Sequence, residues 1–235
     1  MSTDISLQTT TYQVGNKQWL LDEPKFKPNV TLDISLFSRD EAQLLTIDAT
    51  GGTYTVAFDG SAPTAGIAED ADAATVQAAI AGLPTVGAGN VSVSGNAGGP
   101  YTVLFGGALA SKDVPLLEAD DALLTGGGAS ATVQTITPAH YANGYIPSGT
   151  AIGKVTATGL FGPYDDTAGD GREVCYGFTY ADVRAVRQNG TVAEKVGTGA
   201  VVSGAVSASK LPFQSGTGSL DANGKADLPT IRFEA

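Results

Sequence analysis

The sequence has very few of the residues on which side-chain chemistry in enzymes depends. Its 235 residues include one cysteine, Cys175, and one histidine, His140. A single cysteine excludes an internal disulfide, and this pair cannot supply a zinc site made of cysteines and histidines. We therefore expect no cofactor, no metal and no enzymatic activity.

Basic residues are also scarce, with 13 Lys and Arg against 24 Asp and Glu and a formal net charge of −11. A nucleic-acid partner is disfavoured, because neutralising phosphates requires a basic surface. No apolar run approaches the roughly 18 residues of a membrane span, and the N-terminus lacks the basic and then apolar pattern of a signal peptide. We expect a soluble protein made in a reducing cytoplasm, with no membrane partner.

Glycine and proline, by contrast, are abundant, with 31 and 11 residues. This content exceeds average usage and is typical of β proteins with many turns. Together with the short alternating runs described below, it predicts a mainly β fold with short helices.

The acidic residues are concentrated in one block of the chain. Ten acids and one base, Lys112, fall between positions 41 and 137, which gives this stretch a charge of −9 and leaves −2 for the rest. We interpret residues 41–136 as an inserted acidic β-rich domain, the inserted module, within a discontinuous domain of residues 29–40 and 137–235, the frame. The alternative is one domain with an acidic face.

The inserted module contains an internal repeat. GGTYTVAFDG at 51–60 and GGPYTVLFGG at 98–107 are 47 positions apart and share the pattern G-G-x-Y-T-V-x-F-x-G. Alternation places Tyr54, Val56 and Phe58 on one face of a strand, and their counterparts likewise. Each copy follows a short alternating run, 45–48 or 91–94, so we expect two β-hairpins. A helix between them, capped by Asp72 and ended by Gly82 and Pro84, gives a ββαββ order.

The frame has its own strand signals. Residues 29–36 alternate cleanly and predict a half-buried strand. Further strands are expected at 153–157 and 200–206, the latter interrupted by Gly204, and Asn189-Gly190 predicts a hairpin turn within 183–196. Residues 1–28 show no sustained period and are expected to form an extended arm.

Candidate catalytic patterns are weak throughout. His140 lies in a loop with no serine nucleophile motif nearby, and Cys175 lies among apolar neighbours, so both are interpreted as structural. The acidic loop 165–171 fails the calcium-loop spacing and predicts a tight polar turn. Adjacent acids such as Asp120 and Asp121 are interpreted as solvating charge and not as a glycosidase pair.

One stretch of the frame, from 146 to 178, resembles the head decoration proteins of tailed bacteriophages, the lambda-type capsid-stabilising family. The resemblance lies in PSGTAIGKVTATG followed by PYDDTAGDGR, with support from TLDISLF at 31–37 and HYANG at 140–144. The matching positions are Pro147, Ser148, Gly149, Gly153, Lys154, Gly159, Pro163, Tyr164, Asp165, Asp170, Gly171 and Arg172. Compact members of the family lack a counterpart of the inserted module, so the resemblance covers about 140 residues of the frame.

The resemblance implies a virion structural protein without catalytic activity, on the outer surface of the capsid. It further implies a homotrimer at local three-fold positions that contacts the major capsid protein. An extended arm can add a strand to the edge of a neighbour's sheet, for which the candidate capsid-binding anchors are Tyr12, Val14, Trp19, Leu20 and Leu21. The inserted module would project outward, with a host-surface glycan as a candidate ligand.

Two other functions stay open from the residues alone. The first is a phage adhesion module whose repeated hairpins bind host-envelope carbohydrate, which requires exposed aromatic side chains on the inserted module. The second is a hydrolase of surface polysaccharide, which requires a cleft with two separated carboxylates.

Overall fold

Alternating sequence patterns become strands along most of the chain. The computed structural model describes residues 17–234, and there the fold is mainly β with short helices, as predicted. No helix within these residues is long and apolar enough to cross a membrane.

The centre of the frame is a closed barrel with the strand order β1-β12-β11-β13-β15. Strand β1 pairs antiparallel with β15, from Asn29 opposite Gly199 to Asp33 opposite Lys195, and parallel with β12 through Leu32 and Phe161. The barrel strands are β1 (Asn29–Asp33), β11 (Ala151–Lys154), β12 (Phe161–Pro163), β13 (Cys175–Thr179) and β15 (Lys195–Val201).

Shorter elements complete the frame. Strands β10 and β14 form an antiparallel pair, and β16 and β17 form a parallel pair. These elements are β10 (Tyr145–Ile146), β14 (Val183–Arg184), β16 (Gly204–Ser207), β17 (Ile231–Glu234) and the helix α2 (Ala222–Ala226).

The predicted frame strands are present with shifted ends. The strand expected over 29–36 ends at Asp33, whose side chain accepts hydrogen bonds from the Ser35 amide and hydroxyl and so starts a 3-10 turn over Ile34–Leu36. The turn at Asn189-Gly190 forms, but only Val186 and Val192 pair across it. Gly204 does not interrupt one strand; it begins β16 after β15 has ended.

The inserted module is built from two four-stranded sheets and one helix. One sheet has the order β5-β6-β2-β9; the other has β4-β3-β7, with β8 also paired to β3. The elements are β2 (Ala42–Asp48), β3 (Gly51–Ala57), β4 (Ile67–Ala68), α1 (Ala73–Ala81), β5 (Val91–Gly95), β6 (Tyr101–Phe105), β7 (Glu118–Asp120), β8 (Leu124–Thr125) and β9 (Ser130–Thr137).

Only the second of the two expected hairpins forms. Strands β5 and β6 pair as predicted, but β2 does not pair with β3. Both edges of β2 are occupied, one by β6 and the other by β9, so β3 crosses to the second sheet and pairs with β4, β7 and β8. The ββαββ order is present along the chain, with the two-residue strand β4 added before the helix, but the prediction that its first two strands form a hairpin is wrong.

The repeat supplies the core of the inserted module, as predicted. Tyr54, Val56 and Phe58 are buried, as are Tyr101, Val103 and Phe105, and the rings of Phe58 and Phe105 stack at 5.3 Å between centroids. Helix α1 packs Val76 and Ile80 against them and begins with the Asp72 carboxylate accepting from the Thr75 amide at 2.7 Å.

The chain leaves and re-enters the frame at one place. Ala42, at the start of β2, pairs with Thr137 at the end of β9, while Ser38 and Phe37 both contact His140. The main buried cluster of the inserted module shares no residue with the two buried clusters of the frame. Each part thus packs around hydrophobic residues of its own.

Candidate functional site

The N-terminal segment, residues 17–21, pairs with an edge of the frame. Leu20 faces Val206 of β16 in an antiparallel bridge. The Leu21 amide donates to the Ala205 carbonyl at 3.0 Å, and the Ser207 amide donates to the Trp19 carbonyl at 2.8 Å. Strand β16 therefore lies between the N-terminal segment and β17.

Trp19 fixes this segment by its side chain. Only 1% of Trp19 is exposed, and its ring centroid lies 5.8 Å from that of Phe178. The indole Nε1–H donates to Ser148 Oγ at 3.3 Å. Gly149 lies directly against the indole, where a β-carbon would come within 2.9 Å of Nε1. We call this pocket, lined by Ser148, Gly149, Phe178 and Val206, the Trp19 socket.

These contacts correct the predicted arm. Trp19 was expected to be a free anchor for a capsid partner, but it is part of the frame's core because the socket excludes its apolar surface from water. Leu20 packs partly against the same cluster, and Leu21 is 49% exposed. Tyr12 and Val14 lie outside the described residues. Residues 17–28 thus pack on the frame and do not extend away from it.

A second cluster, around Tyr180, holds Lys17 together with Glu23 and Lys27, which follow the N-terminal segment. The ammonium groups of Lys17 and Lys27 lie 3.4 and 4.4 Å from the ring centroid of Tyr180. The Tyr180 hydroxyl donates to Glu23 at 2.5 Å, and Lys27 donates to the same carboxylate at 2.8 Å. The hydrogen bond from Lys27 lowers the pKa of Glu23, so the cluster is charged at neutral pH.

Of the residues that carry the family resemblance, Gly153 and Lys154 lie on β11 and Pro163 lies on β12, and the others lie in the adjoining loops. Gly153 is on β11, where a β-carbon would come within 2.5 Å of the Arg172 carbonyl oxygen. Arg172 Nε donates to Asp170 at 3.0 Å, and although burial opposes it, hydrogen bonding to Arg172 lowers the pKa of Asp170. Ser148 and Gly149 belong to the Trp19 socket. The spacing of this motif is explained by packing between β11, β12 and the loop 165–172.

The acidic loop 165–171 is a polar turn, as its sequence predicts. Asp165 accepts from the amide and hydroxyl of Thr167 at 3.1 and 2.7 Å. Tyr164 donates to Asp221 at 2.9 Å, and burial together with that carboxylate raises the pKa of Tyr164. Among the described residues, no group of three or more His, Cys, Asp or Glu side chains is arranged to hold a metal ion.

A groove of about 810 Å³ lies between this loop and the inserted module. Gln134 and Leu44 line one side, and Asp165, Asp166 and Asp221 line the other. Its carboxylates are already engaged, since Asp221 also caps α2 and Asp166 accepts from Asn223.

His140 is structural, as its sequence context predicts. It is 1% exposed, its Nδ1 accepts from the Ser38 amide at 3.0 Å, and its Nε2–H donates to the Thr217 carbonyl at 2.9 Å. Phe37 and Phe213 contact the ring edge-on. Burial lowers the pKa of His140 to about 4, so the ring is neutral at pH 7.

Cys175 is likewise buried, at 2% exposure. Burial raises the pKa of its thiol to about 12. A thiol with this pKa carries almost no thiolate at neutral pH and behaves as a small apolar side chain.

A buried polar network at the base of the inserted module has no counterpart among the predicted sites. Glu41, 1% exposed, accepts hydrogen bonds from Gln43 Nε2, Thr135 Oγ1 and the Val114 amide. Gln43 in turn bonds the Pro115 carbonyl and the Leu117 amide. Together they hold the irregular segment 111–117 against β2. The sequence did carry one signal for this network. Glu41 and Gln43 are polar, yet they alternate in step with the buried Leu45 and so fall on the inward face of the strand.

Comparison with solved structures finds a likeness of low sequence identity to a phage chain. The chain is similar to a solved chain from Mycobacterium phage Patience, with 21% identity over 62% of this chain and a TM-score of 0.33. The match covers 53% of that chain, so this chain spans about half of its length. No protein-family model matches the chain, and no curated protein matches it.

Proposed function

We propose that the chain is a non-enzymatic capsid decoration protein that binds as a trimer at local three-fold sites of a phage head and stabilises the shell. The observation that carries the proposal is that two residues of the motif that resembles decoration proteins, Ser148 and Gly149, form part of the Trp19 socket. The motif thus holds residues 19–21 at the edge of β16, where main-chain pairing has already begun.

The state of the two most reactive side chains supports a binding role over catalysis. Both ring nitrogens of His140 are engaged by main-chain groups, and the thiol of Cys175 is buried and protonated. These are the only histidine and the only cysteine in the sequence. A nucleophile activated by an imidazole is therefore not expected in this chain.

The burial of the module's aromatic residues weakens the adhesion alternative. Residues 41–136 contain four aromatic residues, all 2% exposed or less: Tyr54, Phe58, Tyr101 and Phe105. Stacking of a sugar on an aromatic ring of the inserted module would require one of them to leave the core. We assign the module instead to the outer face, where its charge keeps the decorated surface anionic.

Because residues 17–21 are held on the frame, the test of the proposal deletes only the residues before them. Purified protein is mixed with expanded heads that lack it, and bound copies are counted at saturation. The full chain is expected to saturate at about three copies per local three-fold position. Deletion of residues 2–16 should abolish binding while the fold is retained, because Trp19 and the Tyr180 cluster stay in place.

The control is the chain in which a short Gly-Ser linker replaces the inserted module. It should bind in the same number as the full chain if the frame contacts the shell. Failure of the full chain to bind heads would overturn the proposed function.

A further inference from the structure

We propose that residues 17–21 exchange between copies of this chain, so that Trp19 of one copy fills the Trp19 socket of the next. The inference rests on the proposed function in one respect, the assembly of several copies at one position of the shell. The exchange proposed here would supply the contact that links those copies.

The contact is a self-contained docking unit. One large side chain enters a pocket, an indole N–H meets Ser148 Oγ, and main-chain hydrogen bonds join residues 19 and 21 to β16. Peptide recognition by strand addition uses the same parts, with backbone pairing and a side-chain anchor. A second copy would bring an identical segment, so every contact would be reproduced.

The linker between this unit and β1 can act as a hinge only when Glu23 and Lys27 leave Tyr180, the contact that holds it in the closed form. Residues 22–28 form no strand or helix, and the chain bends at positions 21, 22 and 25. Pro24 and Pro28 disfavour helical backbone at the residues before them, which favours an extended linker. An extended linker would carry residues 17–21 away from their own socket toward a neighbour's.

The linker and the residue before it leave apolar surface uncovered. Phe26 is 69% exposed and Leu21 is 49% exposed, although each is large and hydrophobic. In an exchanged assembly the linker runs between two copies, where neighbouring surfaces can cover both side chains. The isolated chain provides no such cover.

Effective concentration decides which arrangement is populated. A short linker presents its own segment to its socket at a concentration on the order of mM, so a dilute chain keeps the closed form shown by the structure. Copies held side by side on a shell experience a similar concentration of each other's segments. Exchange is therefore expected in assemblies and in concentrated refolded protein.

Cysteine pairing distinguishes the two arrangements. Leu20 and Val206 face each other in the antiparallel bridge, a spacing that suits a disulfide. The double variant Leu20→Cys with Val206→Cys is made in a Cys175→Ala background, which removes the remaining thiol. It is oxidised under two conditions: after refolding at about 1 mM and after binding to heads.

Interchain-linked oligomers on a non-reducing gel support exchange. Intrachain-linked monomers alone, under both conditions, overturn it and leave the cementing role intact. If the protein does not bind heads, the proposed function fails, and the refolded sample alone decides the exchange.

The matched control pair is Ser92→Cys with Leu104→Cys, which face each other on β5 and β6 at exposed positions. It should give only intrachain disulfides under both conditions. A second variant, with four Gly and Ser residues inserted after Phe26, should lower the interchain share, because a longer linker returns more easily to its own socket. An unchanged share would contradict the hinge assignment.

Discussion

The indole of Trp19 lies against Gly149, a residue of the conspicuous motif at positions 147–172. A β-carbon at Gly149 would come within 2.9 Å of indole atoms and 3.0 Å of Pro212. The backbone of Gly149 has φ of +90°, a conformation that other residues adopt only with strain. The motif glycine is therefore explained by the tryptophan 130 positions before it.

Replacing Gly149 with alanine should destabilise the frame by about 3 kcal/mol, through backbone strain together with overpacking of the socket. Urea unfolding followed by tryptophan fluorescence measures this directly, because Trp19 is the only tryptophan. The matched control is Gly169→Ala in the loop of the same motif, where a β-carbon meets nothing within 4 Å. Equal losses in the two variants would contradict the packing role of Gly149.

His140 should make the protein less stable as the pH falls. Its pKa is about 4 in the fold and about 6.5 in an unfolded chain, so between these values only the unfolded state binds the proton. The free energy of unfolding is therefore unaffected by this group above pH 6.5. It falls as the pH is lowered toward 4, by about 3 kcal/mol at most. Urea unfolding at several pH values between 4 and 7 measures the loss.

The variant His140→Gln should show a flatter pH profile over that range, together with a lower stability at pH 7 because its contacts with Phe37 and Phe213 are lost. Burial raises the pKa of Glu41, which acts in the opposite direction, since its contribution is lost as the pH rises. The relevant quantity is thus the difference in the free energy of unfolding between wild type and variant at each pH. A constant difference would contradict the assignment to His140.

Removing the Glu41 carboxylate should destabilise the inserted module. Glu41→Ala leaves three donors without their acceptor: Gln43 Nε2, Thr135 Oγ1 and the Val114 amide. Unsatisfied buried donors cost about 1 to 3 kcal/mol each, and entry of water offsets part of this, so we expect a loss of about 3 kcal/mol. Amide hydrogen exchange should show faster exchange at Val114 and Leu117.

The control for this prediction is Glu118→Ala on β7, an exposed acid of the same module. Its effect on stability should lie within about 0.5 kcal/mol of zero. Hydrogen exchange at Val114 that is unchanged in Glu41→Ala would contradict the proposed role of the network.

Local patterns predicted those parts of the fold that depend on local interactions. Helix α1 was predicted because Asp72 and Gly82 mark its ends and Val76 and Ile80 recur on one face. The core faces of both repeat strands followed from alternation. The pairing of β2 did not, because its two edges are taken by β6 and β9, whose paired residues lie 56 or more positions away and leave no signal near residues 45–51.

The Trp19 socket could not be predicted for a related reason. Trp19 has no periodic neighbours, and its hydrogen-bond partner Ser148 is 129 positions away. The sequence shows that position 149 is glycine, but only the fold shows which side chain occupies the space. The prediction of an extended arm over residues 1–28 does not hold for residues 17–21, which pack on the frame.

Excising the inserted module should leave a folded frame. The main buried cluster of residues 45–131 is separate from those of the frame, and Ala42 and Thr137 pair where the chain enters and leaves. A frame in which a short Gly-Ser linker replaces residues 41–136 should therefore keep the bond between Ser38 and His140 and unfold in one cooperative transition. Calorimetry of the frame, of residues 40–138 alone and of the full chain should show one, one and two transitions. If either fragment lacks a transition, or the full chain unfolds in a single step at a temperature above both fragments, the two parts depend on each other and the insertion is not an independent domain.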